Sequence, residues 1–170
     1  MPYENKVDIY IPNLDTWDGC IKILQNTEGN FECDFDINVV KLEEGIVFSE
    51  DGVVVKALPN NHIADRPKEA FSFVFETDET RIIYSGDVAH VSELSLFLED
   101  GCDLLIMETG HHSAEEICCY ISENNYDIGK IIFMHHGRKM LSDRKLEVSK
   151  AKKYFKNEII IADDAKTYVL

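Results

Sequence analysis

Arg81-Ile-Ile-Tyr-Ser-Gly-Asp87 is a short apolar run that ends on a Ser-Gly turn and sets a carboxylate just beyond it. Such a run, bounded by turn residues, reads as a buried strand. Leu58-Pro-Asn-Asn-His62 and Lys130-Ile-Ile-Phe-Met-His-His136 have the same form and close on imidazoles. A further strand, Asp103-Leu-Leu-Ile-Met-Glu108, closes on a carboxylate and is followed by His111-His112. All six histidines fall between His62 and His136, and His90 lies just beyond the first of these segments. Groups mounted just past a strand are held by a rigid scaffold and still meet solvent, which is where metal ligands and catalytic groups are usually placed. The pattern points to a metal-dependent hydrolase.

Outward from this stretch the segments change type along the chain. Val7 to Pro12 reads as a strand, and Asp15 to Gln25, with Trp17, Ile21 and Leu24 on one face, as a helix beginning near an Asp cap. A β-rich middle follows: Phe35 to Lys41, Ile46 to Ser49, Val53 to Leu58, Phe71 to Thr77 and Arg81 to Ser85. Glu50-Asp-Gly52 and Thr77-Asp-Glu-Thr80 are hairpin turn signals. From Ser92 the order becomes helix, strand (Asp103 to Glu108), helix (Ser113 to Asn124), strand (Lys130 to Met134), helix (Ser142 to Phe155), strand (Glu158 to Ala162). Ser113-Ala-Glu-Glu116 has the form of a capping box. Thr167 to Leu170 suggests a last β-element after a turn at Asp163-Asp164. The class is α/β (α+β), a mixed sheet flanked by helices.

With 170 residues, 45% hydrophobic and 29% charged, the chain is expected to form a single domain over residues 1–170. It has no long apolar run and no basic-then-apolar start, so a cytoplasmic protein without a membrane segment is expected. The five cysteines contain no Cys-x-x-Cys spacing and read as reduced thiols in or near the core, at least one of Cys118 and Cys119 packing inside a helix. A formal charge of −15 disfavours nucleic acid as a partner. The basic residues from Arg138 to Lys156 lie largely on one predicted helix and read as its solvated face.

On the residues alone, His62 also reads as a loop histidine after a Pro-Asn-Asn turn, and Asp87 as a carboxylate bonding its own turn. His112 also reads as an ordinary residue at a helix start, and Glu108 as a strand-end acid facing water. His90 and His111 read as surface residues.

Val55 to His62, Phe71-Ser-Phe-Val-Phe75, Ile82-Ile-Tyr-Ser-Gly-Asp87, Asp103 to Glu108 and Ile131-Ile-Phe-Met-His135 together resemble the second half of the metallo-β-lactamase superfamily, an αββα sandwich. They look most like its ribonuclease Z and phosphodiesterase branch. The resemblance implies His62, Asp87 and His135 as metal ligands, with Asp87 bridging two divalent ions, and His112 as the group that protonates the leaving oxygen. Zinc is the implied metal, with manganese or iron as alternatives. Glu108 would hold a ligand from behind. His135 and its neighbour His136 point opposite ways in a continuing strand, so His136 would be structural or support the site.

The family's His-x-His-x-Asp-His signature has no counterpart here, and no histidine precedes His62. The chain is therefore expected to correspond to the C-terminal half of that fold. Each of two metals would take only two ligands from it, so it is expected to be inactive or nearly so alone. The implied substrate is a small ester or phosphodiester. A half-fold would also expose a sheet face and edge, so a homo-oligomer, or association with a missing N-terminal half, is expected. The other reading is a non-catalytic remnant acting as an oligomerising or binding scaffold.

Overall fold

The computed structural model describes residues 6–27, 34–66 and 68–168. Contacts gather into two compact units, residues 1–43 and 44–170.

In the first unit, β1 (Lys6–Ile11) and β2 (Asp36–Lys41) pair in parallel, and α1 (Leu14–Thr27) lies between them in the chain. The helix opens earlier than the expected Asp cap. Asn13 Oδ1 accepts the Thr16 N–H at 3.2 Å, which leaves Asp15 in the first turn, where its charge complements the helix dipole.

The second unit is a seven-stranded mixed sheet in the order β3 (Gly45–Glu50), β4 (Val53–Asn60), β5 (Ala70–Glu76), β6 (Arg81–Tyr84), β7 (Cys102–Thr109), β8 (Ile128–His136), β9 (Glu158–Ile161). The first three pairings are antiparallel and the last three parallel. It follows that β4, β6, β7, β8 and β9 all run in one direction and end on the same edge of the sheet. Both hairpin turns form as read. Asp51 and Gly52 take φ of 50° and 78°, the paired positive values of a type I′ turn, and the Thr77 N–H donates to Thr80 O at 2.9 Å.

The helices are α2 (Ser95–Leu98), which follows a 3-10 turn at Val91–Leu94, then α3 (Ala114–Glu123), α4 (Arg138–Ser142) and α5 (Arg144–Ala151). The capping box is present: Ser113 Oγ accepts the Glu116 N–H, and Glu116 Oε2 accepts the Ser113 N–H at 2.8 Å. The single helix expected from Ser142 to Phe155 is instead α4 and α5. Asp143 leaves helical geometry and caps α5 through the Leu146 N–H at 2.9 Å. No strand forms at 167–168; Tyr168 Oη accepts the Asp163 N–H at 2.8 Å, and residues 169–170 lie outside those described.

One row of side chains explains how the sheet is covered. Val74, Ile83, Leu105 and Ile131 sit side by side on β5 to β8 and are fully buried. They form one cluster with Phe97 and Leu98 of α2, Ile117, Cys118 and Ile121 of α3, and Ala151 of α5. On the opposite face Phe48 and Phe75 stay about 40% exposed, and β3 is an edge strand. The chain is thus a mixed α/β protein, as its segment pattern implies. Among the described residues no helix is long and apolar enough to cross a membrane.

Burial pushes the thiols of Cys102 and Cys118 up to about 12, which disfavours the reactive thiolate in both; Cys33 lies outside the described residues. Arg144, and after it Lys166, hold the Asp163 carboxyl down to about 2 from 3.8. A carboxyl depressed on folding stabilises above its unfolded value, and that contribution is lost as pH falls through the folded one. Urea titrations from pH 4 to pH 2 are therefore expected to show a smaller loss of stability in Asp163→Asn than in the wild type; equal losses would show that this cluster contributes nothing.

Candidate metal centre

Four strand ends are tied together beneath the site by a buried polar chain. Asn60, at the end of β4, accepts the His62 N–H on Oδ1 at 3.1 Å and donates from Nδ2 to Ser72 Oγ at 3.2 Å. Ser72 donates to Ser85 O at 2.6 Å, and Ser85 Oγ accepts the Glu108 N–H at 3.1 Å. All four residues are buried, and among the described residues no buried side-chain polar atom lacks a partner. A fully satisfied network of this kind fixes the turns it joins.

Asp87 follows the Ser85-Gly86 turn after β6. Gly86 has φ +57°, and a Cβ there would strike the Phe71 carbonyl oxygen of β5. Glycine is required both for that backbone and for that approach. Thus His62 and Asp87, two strands apart in the sheet, meet with His62 Nε2 3.8 Å from Asp87 Oδ2.

His135 and His136 separate through a β-bulge rather than through simple alternation. Met134 pairs with Glu108 and His136 with Thr109, so His135 is the extra residue, at φ 45°. A non-glycine residue in that region is uncommon. The bulge aims His135 Nδ1 at Asp87 Oδ1, 2.6 Å away. His136 is held elsewhere, with Nδ1 3.0 Å from Thr109 Oγ1 and Nε2 donating to Ala162 O at 2.8 Å. Its place is structural.

Glu108 does not face water; it is 1% exposed. Its Oε2 accepts the His111 N–H at 2.9 Å and Oε1 lies 3.2 Å from His111 Nδ1. His111 is exposed, as read, with its backbone and ring tied to that buried carboxylate. Its ring centroid is 4.6 Å from that of His62 and 5.7 Å from that of His135. The sequence signal for this was the Glu108-x-x-His111 spacing across Gly110, which lets the loop fold back over the strand end. His112 lies just before α3, with Nε2 donating to Val88 O at 3.1 Å and 3.9 Å from Glu108 Oε1. His112 is among the residues that line a cleft of about 330 Å³, with Thr109, Gly110, Ser113, Arg138, Lys139 and Glu147. His90 is exposed and has no place in this group.

Imidazole nitrogens around one carboxylate, beside an open cleft, fit zinc, manganese or iron by their chemistry. Among the described residues no three such side chains are already disposed as a finished ligand shell; Asp87 and His135 bond each other instead.

The arrangement is that of a mixed-sheet protein whose functional groups gather at the strand ends. The sequence profile of the Beta-lactamase superfamily domain matches residues 6–143, and the chain belongs to that superfamily. A search of the curated proteins finds no match. Among solved structures, the metallo-beta-lactamase fold protein YhfI from Bacillus subtilis is 16% identical with a TM-score of 0.64, covering 94% of this chain and 62% of its own. Igni18, a metallo hydrolase from the archaeon Ignicoccus hospitalis, is 14% identical with a TM-score of 0.62, over 96% of this chain and 78% of its own. Zn(2+)-bound PqqB from Methylobacterium extorquens is 14% identical with a TM-score of 0.61, over 97% and 65%. These likenesses establish the metallo-β-lactamase fold, and this chain spans less than two thirds of the length of YhfI and of PqqB.

Proposed function

We propose that the chain is the metal-binding C-terminal part of a hydrolase that cleaves a phosphodiester or related ester, akin to the ribonuclease Z and phosphodiesterase branch. The observation that carries this reading is the meeting of His62, Asp87 and His135, which come from three strand ends far apart in sequence, around one carboxylate. A divalent ion bound there would supply Lewis-acid activation of water and of the scissile group. Asp87, with one oxygen near each histidine, would be the anionic ligand between them. His112 donates the proton to the leaving oxygen from the cleft side, exchanging Val88 O for substrate. Arg138 and Lys139 at the cleft rim suit a negatively charged substrate over a neutral one, which matters in a chain carrying −15 overall.

These ligands leave a two-metal centre short, so turnover by this chain alone is expected to be slow. The test is hydrolysis of a chromogenic phosphodiester and a chromogenic carboxyl ester with zinc or manganese. Slow, chelator-sensitive hydrolysis that favours the phosphodiester and disappears in Asp87→Ala supports the reading. Hydrolysis indifferent to chelator and to Asp87 contradicts it.

A second reading, a non-catalytic scaffold, is favoured by the exposed Phe48 and Phe75 and by the edge strand β3. It predicts self-association by light scattering together with no metal-dependent hydrolysis of any ester. A well-behaved monomer counts against it.

A further inference from the structure

We infer that Arg138 selects the substrate by its leaving part, holding a second anionic group, a carboxylate or phosphate carried on the leaving alcohol, in the cleft that His112 lines. This rests on the hydrolase reading above, through the role of His112 there, and names the class of substrate.

The first observation is that Arg138 is unpaired in a chain rich in acids. The sequence has 32 Asp and Glu against 17 Lys and Arg, so a cation left alone is not short of candidate partners. Of the other arginines, Arg66 meets Glu69 at 3.4 Å, Arg81 meets Glu76 at 2.9 Å, and Arg144 meets Asp163. Among the described residues the Arg138 side chain has no ion pair and no hydrogen bond, and it is exposed. The acids nearby are already engaged. Glu147, a buried residue of the cleft wall, takes Lys150 at 2.7 Å, and Glu116 takes the Ser113 N–H and hydroxyl at 2.8 and 2.6 Å. Ser113 first, and the charge of Lys139 after it, hold the Glu116 carboxyl below its ordinary value. Lys139 thus has a counter-charge, and Arg138 does not.

The second observation is how Arg138 is placed. The Gly137 N–H donates to Thr109 O at 2.9 Å, and a Cβ on Gly137 would lie 2.7 Å from the carbonyl oxygens of Thr109 and Gly110. Only glycine allows that approach, which brings the start of α4 against the end of β7 and makes Arg138 and His112 parts of one cleft.

The third is which part of a substrate the cleft can take. His112 lines it, whereas His62, Asp87 and His135 do not. An ester centred on Asp87, with His112 protonating the leaving oxygen, therefore lodges its leaving part in the cleft, so the charge that Arg138 meets is distinct from the scissile group. The planar fork of a guanidinium matches two oxygens of a carboxylate or phosphate at once. A volume of about 330 Å³ lies near the lower end for ligand pockets and suits a small leaving alcohol.

The test is binding of 3-hydroxybenzoate, standing for a charged leaving alcohol, against its neutral analogue 3-hydroxybenzamide. Both are titrated into the full chain without metal and followed by backbone amide NMR shifts. The variants are Arg138→Ala, Arg138→Lys and, as a control of equal charge change outside the cleft, the exposed Lys145→Ala; melting curves check that each is folded. The benzoate is expected to shift residues 109–113 and 137–140 and to bind about 10-fold more tightly than the benzamide. Arg138→Ala should abolish that preference, Arg138→Lys should keep part of it, and Lys145→Ala should match the wild type. Failure of the benzoate to bind, equal affinity for the two ligands, or a preference that survives Arg138→Ala overturns the inference and leaves the hydrolase reading to its own test. A preference that is present in a chain without metal-dependent hydrolysis overturns the hydrolase reading, and with it the assignment of this anion to a leaving group.

Discussion

Asp87→Ala will lower zinc affinity by at least about 100-fold, beyond the range found for residues that only support a ligand. The reason is geometric. Asp87 is the carboxylate that meets both flanking histidines, 2.6 Å from His135 Nδ1 through Oδ1 and 3.8 Å from His62 Nε2 through Oδ2. Without it the two imidazoles share no anionic partner among the proposed ligands, and a metal there would lose its carboxylate donor. The fold should survive, because the turn is held by Gly86 and by the Asn60, Ser72, Ser85 and Glu108 chain, none of which uses the Asp87 side chain. Calorimetry should therefore register the loss while the metal-free melting temperature hardly moves. An Asp87→Ala chain that binds zinc as the wild type does would remove the carboxylate from the site.

Gly86→Ala acts through the fold and only then through the site. A left-handed backbone costs an L-residue about 1–2 kcal/mol. The added Cβ also meets the Phe71 carbonyl oxygen of the neighbouring strand, a backbone atom that cannot swing aside as a side chain would. Overpacking adds about 1–3 kcal/mol, so a net loss of about 3 kcal/mol is expected. Because the residue precedes Asp87, zinc affinity should fall as well. A urea midpoint equal to that of the wild type would show that the turn relaxes freely and that glycine is not what places Asp87.

Local chemistry made most of the second unit legible. Apolar runs closed by turn residues gave the strands, Asp51-Gly52 gave its hairpin, and Ser113 with Glu116 gave the start of α3. The helix break at Asp143 was not legible, because the segment is helix-favouring on both sides and the break rests on one side-chain bond to Leu146. The meeting of His62, Asp87 and His135 was anticipated through family resemblance; what brings them together is that β4, β6 and β8 run in the same direction, a property of strand pairing that no short segment carries. His135 and His136 were expected to diverge by strand alternation, whereas a bulge with a left-handed residue does it. His111 was read as a surface residue and is exposed; its tie to Glu108 was not legible, because the burial of that carboxylate is a tertiary fact.

Elemental analysis of the purified chain, taken across its peak from a sizing column with light scattering, tests the central claim most directly. The account predicts zinc or manganese co-eluting near one ion per chain, and its loss in His62→Ala and in Asp87→Ala. A folded chain that carries no metal, and takes none up on dialysis against zinc, would contradict it.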